Sequence, residues 1–257
     1  MKFVKGGLQM TTIRDCIAPD RNPKVPSIKL PKGSIDTHVH IFESQYPLFE
    51  GRGYNPPDST LDDLKHLHSQ LGVSRVVYTQ PSPYGVDNSA ILKGMKVMND
   101  ETPGRARGVC AIKMDVSDDF LEDLDKQGIK GVRLNMDNIG GMPIGLDEIP
   151  TLEARIKDLG WHVEYLFPGK DIVELAPIFK KSSVPISIAH FAYQPATNGI
   201  NSEGFKTLLD LVRDGNTWIK ISGANRVSET DLPPYDDVMP MAPVSYTHLT
   251  LPTNREV

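Results

Sequence analysis

Two imidazoles one residue apart, His38 and His40, stand in the segment Gly33-Ser34-Ile35-Asp36-Thr37-His38-Val39-His40-Ile41-Phe42. In a strand over 34–42 the side chains alternate between faces, so both rings point the same way at the strand's end. Such a pair can hold a divalent metal, or can act on a substrate as neutral donors and acceptors. His190 closes a second apolar run, Val184-Pro185-Ile186-Ser187-Ile188-Ala189-His190, and Arg133 lies in a third, Gly131-Val132-Arg133-Leu134-Asn135. Arginine is rarely buried without a partner, so Arg133 at a strand end requires a carboxylate, from the protein or from a ligand. Arg226, just beyond Trp218-Ile219-Lys220-Ile221-Ser222-Gly223, is a second cation of the same kind; a rim ion pair is the plainer use of either. Tyr54, Ser82, Tyr84 and Tyr165 offer hydroxyls to a substrate, although loop tyrosines commonly pack with a wet hydroxyl. His66 and His68 repeat the spacing, but in a helical stretch, where the rings diverge around the axis; they read as solvated surface.

The elements that must position these groups alternate along the chain. Period and composition predict strands over 34–42, 73–80, 107–113, 129–135, 161–167, 184–190 and 217–223. Helices are predicted over 60–71, 88–99, 118–127, 151–159, 171–180 and 203–213. Caps agree: Ser59 or Thr60 can open the first helix and Gly72 close it, Ser117 opens the third and Gly128 closes it, and Gly160 and Gly215 end two more. Short apolar strands alternating with helices imply parallel βαβ units. A doubly wound sheet is the competing architecture, but no glycine-rich phosphate loop follows the first strand. Polar residues gather instead at the C-terminal ends of several strands, where (β/α)8 barrels build their sites. The predicted fold is therefore α/β, a (β/α)8 TIM barrel with seven strands countable and the eighth missing.

At 257 residues and a net charge of −5, the chain suits one domain with a small-molecule ligand and does not suit a nucleic-acid surface. No apolar run approaches a membrane span, and the N-terminus lacks the apolar core of a signal peptide, so a cytoplasmic protein is expected. Cys16 and Cys110 form no framework, and Cys110, in an apolar strand, reads as an inert core thiol. Residues 1–33, rich in Pro, Lys and Gly, read as a loosely ordered lead-in; 34–243 form the incomplete barrel; 244–257 break the pattern, with no helix where the barrel needs one. Residues 244–253 resemble the translation of a transposase adapter used in sequencing libraries, so the natural frame is expected to end near Pro243 and His248 carries no functional weight. A genuine Thr-rich terminal strand is the alternative.

The segments Asp36-Thr37-His38-Val39-His40-Ile41-Phe42, Gly131-Val132-Arg133, Ala189-His190 and Trp218-Ile219-Lys220-Ile221-Ser222-Gly223 resemble the amidohydrolase superfamily, and within it the amidohydrolase 2 branch that holds the 2-pyrone-4,6-dicarboxylate lactonases and sugar-acid lactonases. The resemblance spans roughly residues 33 to 230. It implies a (β/α)8 barrel that hydrolyses an ester, lactone or amide. In metal-using relatives the positions of His38, His40 and His190, with an Asp on the eighth strand, hold a divalent ion that activates water. In the dicarboxylate lactonases the same three positions polarise the scissile carbonyl without a metal, arginines at the Arg133 and Arg226 positions grip substrate carboxylates, and the strand-eight Asp is the general base. This chain departs from the pattern in three ways: no lysine ends the fourth strand, which argues against a carbamate-bridged binuclear centre; two further arginines are replaced by Ile139 and Tyr193; and the eighth strand with its Asp is absent.

The expected activity is opening of a small anionic lactone, with His38, His40 and His190 catalytic and Arg133, Arg226, Tyr54, Ser82 and Tyr165 binding substrate. The cofactor is none or one divalent metal, zinc foremost, held by His38, His40 and His190. Arg133 beside the histidines favours the metal-free form by like-charge repulsion. Rival expectations are a mononuclear metal-dependent amidohydrolase or decarboxylase, and an inactive, poorly soluble fragment with two unpaired sheet edges. Oligomeric state is left open.

Overall fold

The computed structural model describes residues 13–136 and 143–250. Seven parallel strands form one sheet in chain order: β1 (Ile35–Val39), β2 (Arg75–Thr79), β3 (Ala106–Cys110), β4 (Ile129–Asn135), β5 (His162–Leu166), β6 (Ile186–Ile188) and β7 (Thr217–Ile219). One helix crosses between each successive pair: α1 (Leu61–Leu71), α2 (Ser89–Glu101), α3 (Asp118–Lys126), α4 (Ile149–Ile156), α5 (Ile172–Phe179) and α6 (Glu203–Arg213). The sheet curls until its two edges nearly meet, since Nζ of Lys220, just past β7, donates to the Thr37 carbonyl of β1 at 3.0 Å. Among the described residues this is a (β/α)8-type barrel with seven of its eight strands.

Local chemistry explains the helix ends. Thr60 and Asp63 form a reciprocal capping box at the start of α1, and Gly72 ends it in the left-handed region at φ 78°. Ser117 and Ser202 cap α3 and α6 by accepting from the backbone N–H of Phe120 and Phe205. The buried faces of strands and helices share one core, including Tyr78, Met95, Leu134, Trp161, Ile188 and Leu208. Cys110 belongs to it, its thiol pushed up to about 12 by burial.

The open edges are visible in the exposure of large apolar side chains: Ile35 is 42% exposed on β1, and Trp218 and Ile221 are 62% and 42% exposed on and beyond β7. Between the edges lies a cavity of about 680 Å³ lined by Thr37, Trp218, Lys220 and Ser222, among others. The lead-in is not wholly free of the barrel. Arg14–Asp15 pairs in parallel with Tyr54–Asn55, and Arg21 donates to the Asp58 carbonyl at 3.1 Å. Beyond β7 come α7 (Ala224–Val227) and α8 (Met241–Thr250). The expectation of no helix after Pro243 is thus corrected: α8 runs through it, with Met241 and Ser245 buried and the Ser245 hydroxyl donating to the Met241 carbonyl at 2.9 Å. Among the described residues no helix is long and apolar enough to cross a membrane.

Candidate active site

His38 and His40 do share a face. Their Nε2 atoms stand 3.3 Å apart, and the ring centroids are 4.9 Å apart. His190 meets them from the end of β6, its ring centroid 4.7 Å from that of His38. Each ring is held from behind. His40 Nδ1 lies 2.7 Å from the Thr79 carbonyl, which can only accept, so Nδ1 carries the proton and Nε2 keeps its lone pair. His190 Nδ1 is 3.0 Å from the Ser222 hydroxyl. A shift of register between Asp36 and Val39 bends β1 at this point, and the Asp36 carboxylate accepts from the His38 backbone N–H at 3.2 Å.

The same carboxylate corrects a sequence reading. His66 is exposed as expected, but His68 is 2% exposed with Nε2 3.3 Å from Asp36 Oδ2. α1 turns His68 inward onto the strand that carries the site, so it braces the motif and does not face solvent.

Arg133 is buried beside the imidazoles, its Nη1 donating to the Gln80 carbonyl at 2.9 Å and its Nε 3.6 Å from Glu164 Oε1. Glu164 is fully buried and is bonded by Lys220, which also donates to Thr37 O and lies 3.1 Å from His38 Nδ1. Burial pushes the Glu164 carboxyl up, but Lys220 and Arg133 outweigh it and hold the group below its ordinary range. Glu164 Oε1 and Arg133 Nε have no hydrogen-bond partner among the described residues, which leaves polar capacity in the floor of the site.

Burial raises the Tyr54 pKa, and nearby Arg133 and Arg226 and a Ser82 hydrogen bond oppose the rise, so these four expected residues are neighbours. Arg226 itself is exposed on α7. Tyr165 is not brought to the site. Its ring faces the helical layer, 4.6 Å from that of Phe179, and its expected role is corrected to core packing. On β5 the inward residue is its neighbour Glu164, by strand alternation. Tyr84 is likewise structural, its hydroxyl accepting from the Glu43 N–H at 3.0 Å. Ile139 lies outside the described residues, and Tyr193 stacks near His190 at 5.9 Å.

Glu164 and Lys220 were missed from the sequence. A signal existed: Glu164 interrupts the apolar run Trp161-His162-Val163-Glu164-Tyr165-Leu166-Phe167, and a carboxylate in a buried parallel strand demands a cation.

The imidazoles are kept neutral. Burial, then Arg133, lowers His40 to about 3, and burial, then Arg133, lowers His190 to about 4. His38 falls well below its ordinary value through burial, His40 and Lys220. A folded-state pKa below the unfolded value of 6.5 means that the unfolded chain takes up protons first as pH falls. The stability is therefore full above about pH 6.5 and declines towards pH 4, by at most about 1.4 kcal/mol per pH unit for His40. Urea midpoints at pH 7.5, 6 and 5 are expected to fall in that order, with a shallower fall in His40→Gln; an equal slope in the variant would place the pH dependence elsewhere.

A divalent ion can be weighed against this donor set. The 3.3 Å between the two Nε2 atoms suits two ligands of one tetrahedral zinc as well as it suits a hydrogen bond, since zinc–nitrogen bonds of about 2.0–2.1 Å imply about 3.3–3.4 Å. His40, donating backwards to a carbonyl, has the form of a ligand. His38 does not, because a cation stands at its Nδ1. Among the described residues no group of three His, Cys, Asp or Glu is arranged to hold a metal.

Comparison with known proteins agrees with this architecture. The family model Amidohydro_2, described as amidohydrolase, matches residues 35–244. A 2-pyrone-4,6-dicarboxylate hydrolase of Comamonas testosteroni is 33% identical over 231 residues, 86% of this chain and 74% of that protein. A 4-sulfomuconolactone hydrolase of Hydrogenophaga intermedia is 32% identical over 230 residues, 88% of this chain and 74% of that protein. Among solved structures, a probable 2-pyrone-4,6-dicarboxylic acid hydrolase of Acinetobacter baumannii with citric acid bound superposes with a TM-score of 0.72 at 28% identity, covering 85% of this chain and 79% of that one.

Proposed function

Because the chain belongs to the Amidohydro_2 family of amidohydrolases, we propose that its site takes a small anionic lactone and opens it by attack of water on a carbonyl polarised by His38, His40 and His190. The observation that carries this is the convergence of three neutral imidazoles beside a buried guanidinium. A neutral ring with its proton on Nε2 can donate a hydrogen bond to a carbonyl and to the oxyanion that develops from it without first losing a proton, whereas His40, whose Nε2 keeps a lone pair, contributes by orienting the His38 ring. Arg133 and Arg226, both near Tyr54 and Ser82, would orient a carboxylate or sulfonate. The names of two relatives, and the citric acid in a third, are consistent with such a ligand. Among the described residues the carboxylate nearest the rings, Glu164, is engaged by Lys220, so a general base is not assigned to it.

The test is ring opening of 2-pyrone-4,6-dicarboxylate, 4-sulfomuconolactone and uncharged lactones by the purified chain, with and without chelator. Opening of the anionic lactones at least about 100-fold faster than the neutral ones, unchanged by chelation, is the expected result. Saturable binding without turnover would keep the anion site and remove the hydrolysis. The second reading, a mononuclear metal enzyme acting on an amide or as a decarboxylase, is favoured by the Nε2 spacing and the ligand-like setting of His40. One zinc per chain, with activity lost on its removal, would establish that reading.

A further inference from the structure

The ring nitrogens of His38 face two different partners, and only one arrangement of protons satisfies both. Nδ1 lies 3.1 Å from Lys220 Nζ, while Nε2 lies 3.3 Å from His40 Nε2. A lysine ammonium has three donors and no acceptor. Here it meets three acceptors: the Thr37 carbonyl at 3.0 Å, the Glu164 carboxylate and His38 Nδ1. We infer that Lys220 is a positioning residue that locks neutral His38 in the Nε2–H tautomer, and that this lock sets the histidine cluster for hydrogen bonding to a carbonyl and against holding a divalent metal.

The rest of the cluster obeys the same order. His40 is fixed the other way round by the Thr79 carbonyl, so its Nε2 accepts from His38. When a carbonyl oxygen enters, the His38 Nε2–H is the donor free to turn to it. A metal would need lone pairs on both Nε2 atoms, and His38 could supply one only by moving its proton to Nδ1, into the face of the ammonium. Histidines that ligate metals donate their outer N–H to a carboxylate or carbonyl. That carboxylate is present: Glu164 Oε1 is 3.6 Å from His38 Nδ1, beyond hydrogen-bond range while Lys220 holds the other oxygen. Removing the ammonium would leave a histidine–carboxylate pair of the kind that supports a zinc ligand, with His40 and His190 as its companions. The chain thus carries the parts of a metal site, and one lysine from beyond β7 holds them in another use. The inference deepens the proposed function only in naming the group that receives the N–H; the tautomer follows from the contacts alone.

Two measurements on the full chain test it. In wild-type protein labelled with 15N-histidine, His38 is expected to show its proton on Nε2, the signals being assigned by their loss in His38→Gln. Zinc titration by calorimetry is expected to give 10- to 100-fold tighter binding in Lys220→Met than in wild type, and no gain in Lys220→Arg, which keeps the cation. A proton on Nδ1 in the wild type, or equal zinc affinity in wild type and Lys220→Met, would overturn the lock. If Lys220→Met does not fold, because it strands Glu164, the wild-type tautomer decides alone. Failure of every lactone to react, with the Nε2–H tautomer observed, would remove the proposed function and leave the lock standing.

Discussion

Replacing Arg133 by methionine is expected to weaken binding of a dicarboxylate or sulfonated lactone by about 100-fold or more, the loss of two charge-assisted hydrogen bonds at about 1.5 kcal/mol each. The same change is expected to destabilise the fold by about 3 kcal/mol, the lower end of the cost of stranding a buried charge. The lower end applies because Glu164 keeps Lys220 when Arg133 is gone. These two effects have different origins and can be separated. Binding depends on the guanidinium facing the ligand, whereas stability depends on its neighbour Glu164, whose Oε1 lies 3.6 Å from Nε. The double variant Arg133→Met/Glu164→Gln removes the carboxylate left short of a cation but takes from Lys220 its carboxylate partner. It should regain only part of the stability and none of the affinity. Isothermal calorimetry with an anionic lactone and urea unfolding read the two quantities independently. Recovery of affinity in the double variant would show that Arg133 serves Glu164 alone.

The second large effect concerns the turn that carries His190. His190, Phe191, Ala192 and Tyr193 all have left-handed backbones, with φ of 51°, 52°, 53° and 49°. None is glycine, and each such residue costs roughly 1–2 kcal/mol. The turn persists because its surroundings hold it. Phe191 N–H donates to the Lys220 carbonyl at 3.2 Å, and the Gln194 side chain donates to the Gly169 carbonyl at 2.6 Å. Gly169 is what allows that approach, since a Cβ there would stand 2.1 Å from the Tyr193 carbonyl oxygen. Gly169→Ala is therefore expected to push the turn out of its strained form, at a cost of about 1–3 kcal/mol in stability. A movement of about 1 Å at His190 would lower turnover by about 100-fold. Thermal unfolding and lactone turnover of Gly169→Ala check this. Wild-type values for both would mean that the turn tolerates the methyl and that His190 is placed by other contacts. On the opposite side Gly223, at φ 68°, leaves room for the His190 ring itself.

Much of this molecule is legible in its sequence because the relevant interactions are local. The i, i+2 spacing of His38 and His40 places two rings on one strand face whatever lies around them, and the end-to-end ladder of strand, helix and cap follows from period and turn chemistry. Thr60, Ser117 and Gly72 act on backbone groups within a turn of themselves, so their roles need no tertiary context. The seven strands follow from the same local patterns. Local pattern misleads where one residue's environment belongs to another element. Tyr165 and Glu164 are adjacent, and which of them faces the barrel depends on the phase of β5 within the sheet. His68 is buried only because α1 packs against Asp36. Helix α8 runs through a segment whose local pattern broke with the rest of the barrel.

The proton arrangement lies further still from the sequence. Lys220 and His38 are separated by 182 residues, and their contact exists only because the sheet curls until β7 approaches β1. The left-handed turn at His190 is likewise invisible locally, since each of its residues prefers another conformation and only packing against Gly169 and Lys220 reverses that preference. The sequence by itself determined the barrel scaffold and the histidine pair, through short-range steric and hydrogen-bonding rules. Only the tertiary structure decided which nitrogen of His38 carries the proton, because that is set by a charge brought from the far end of the chain.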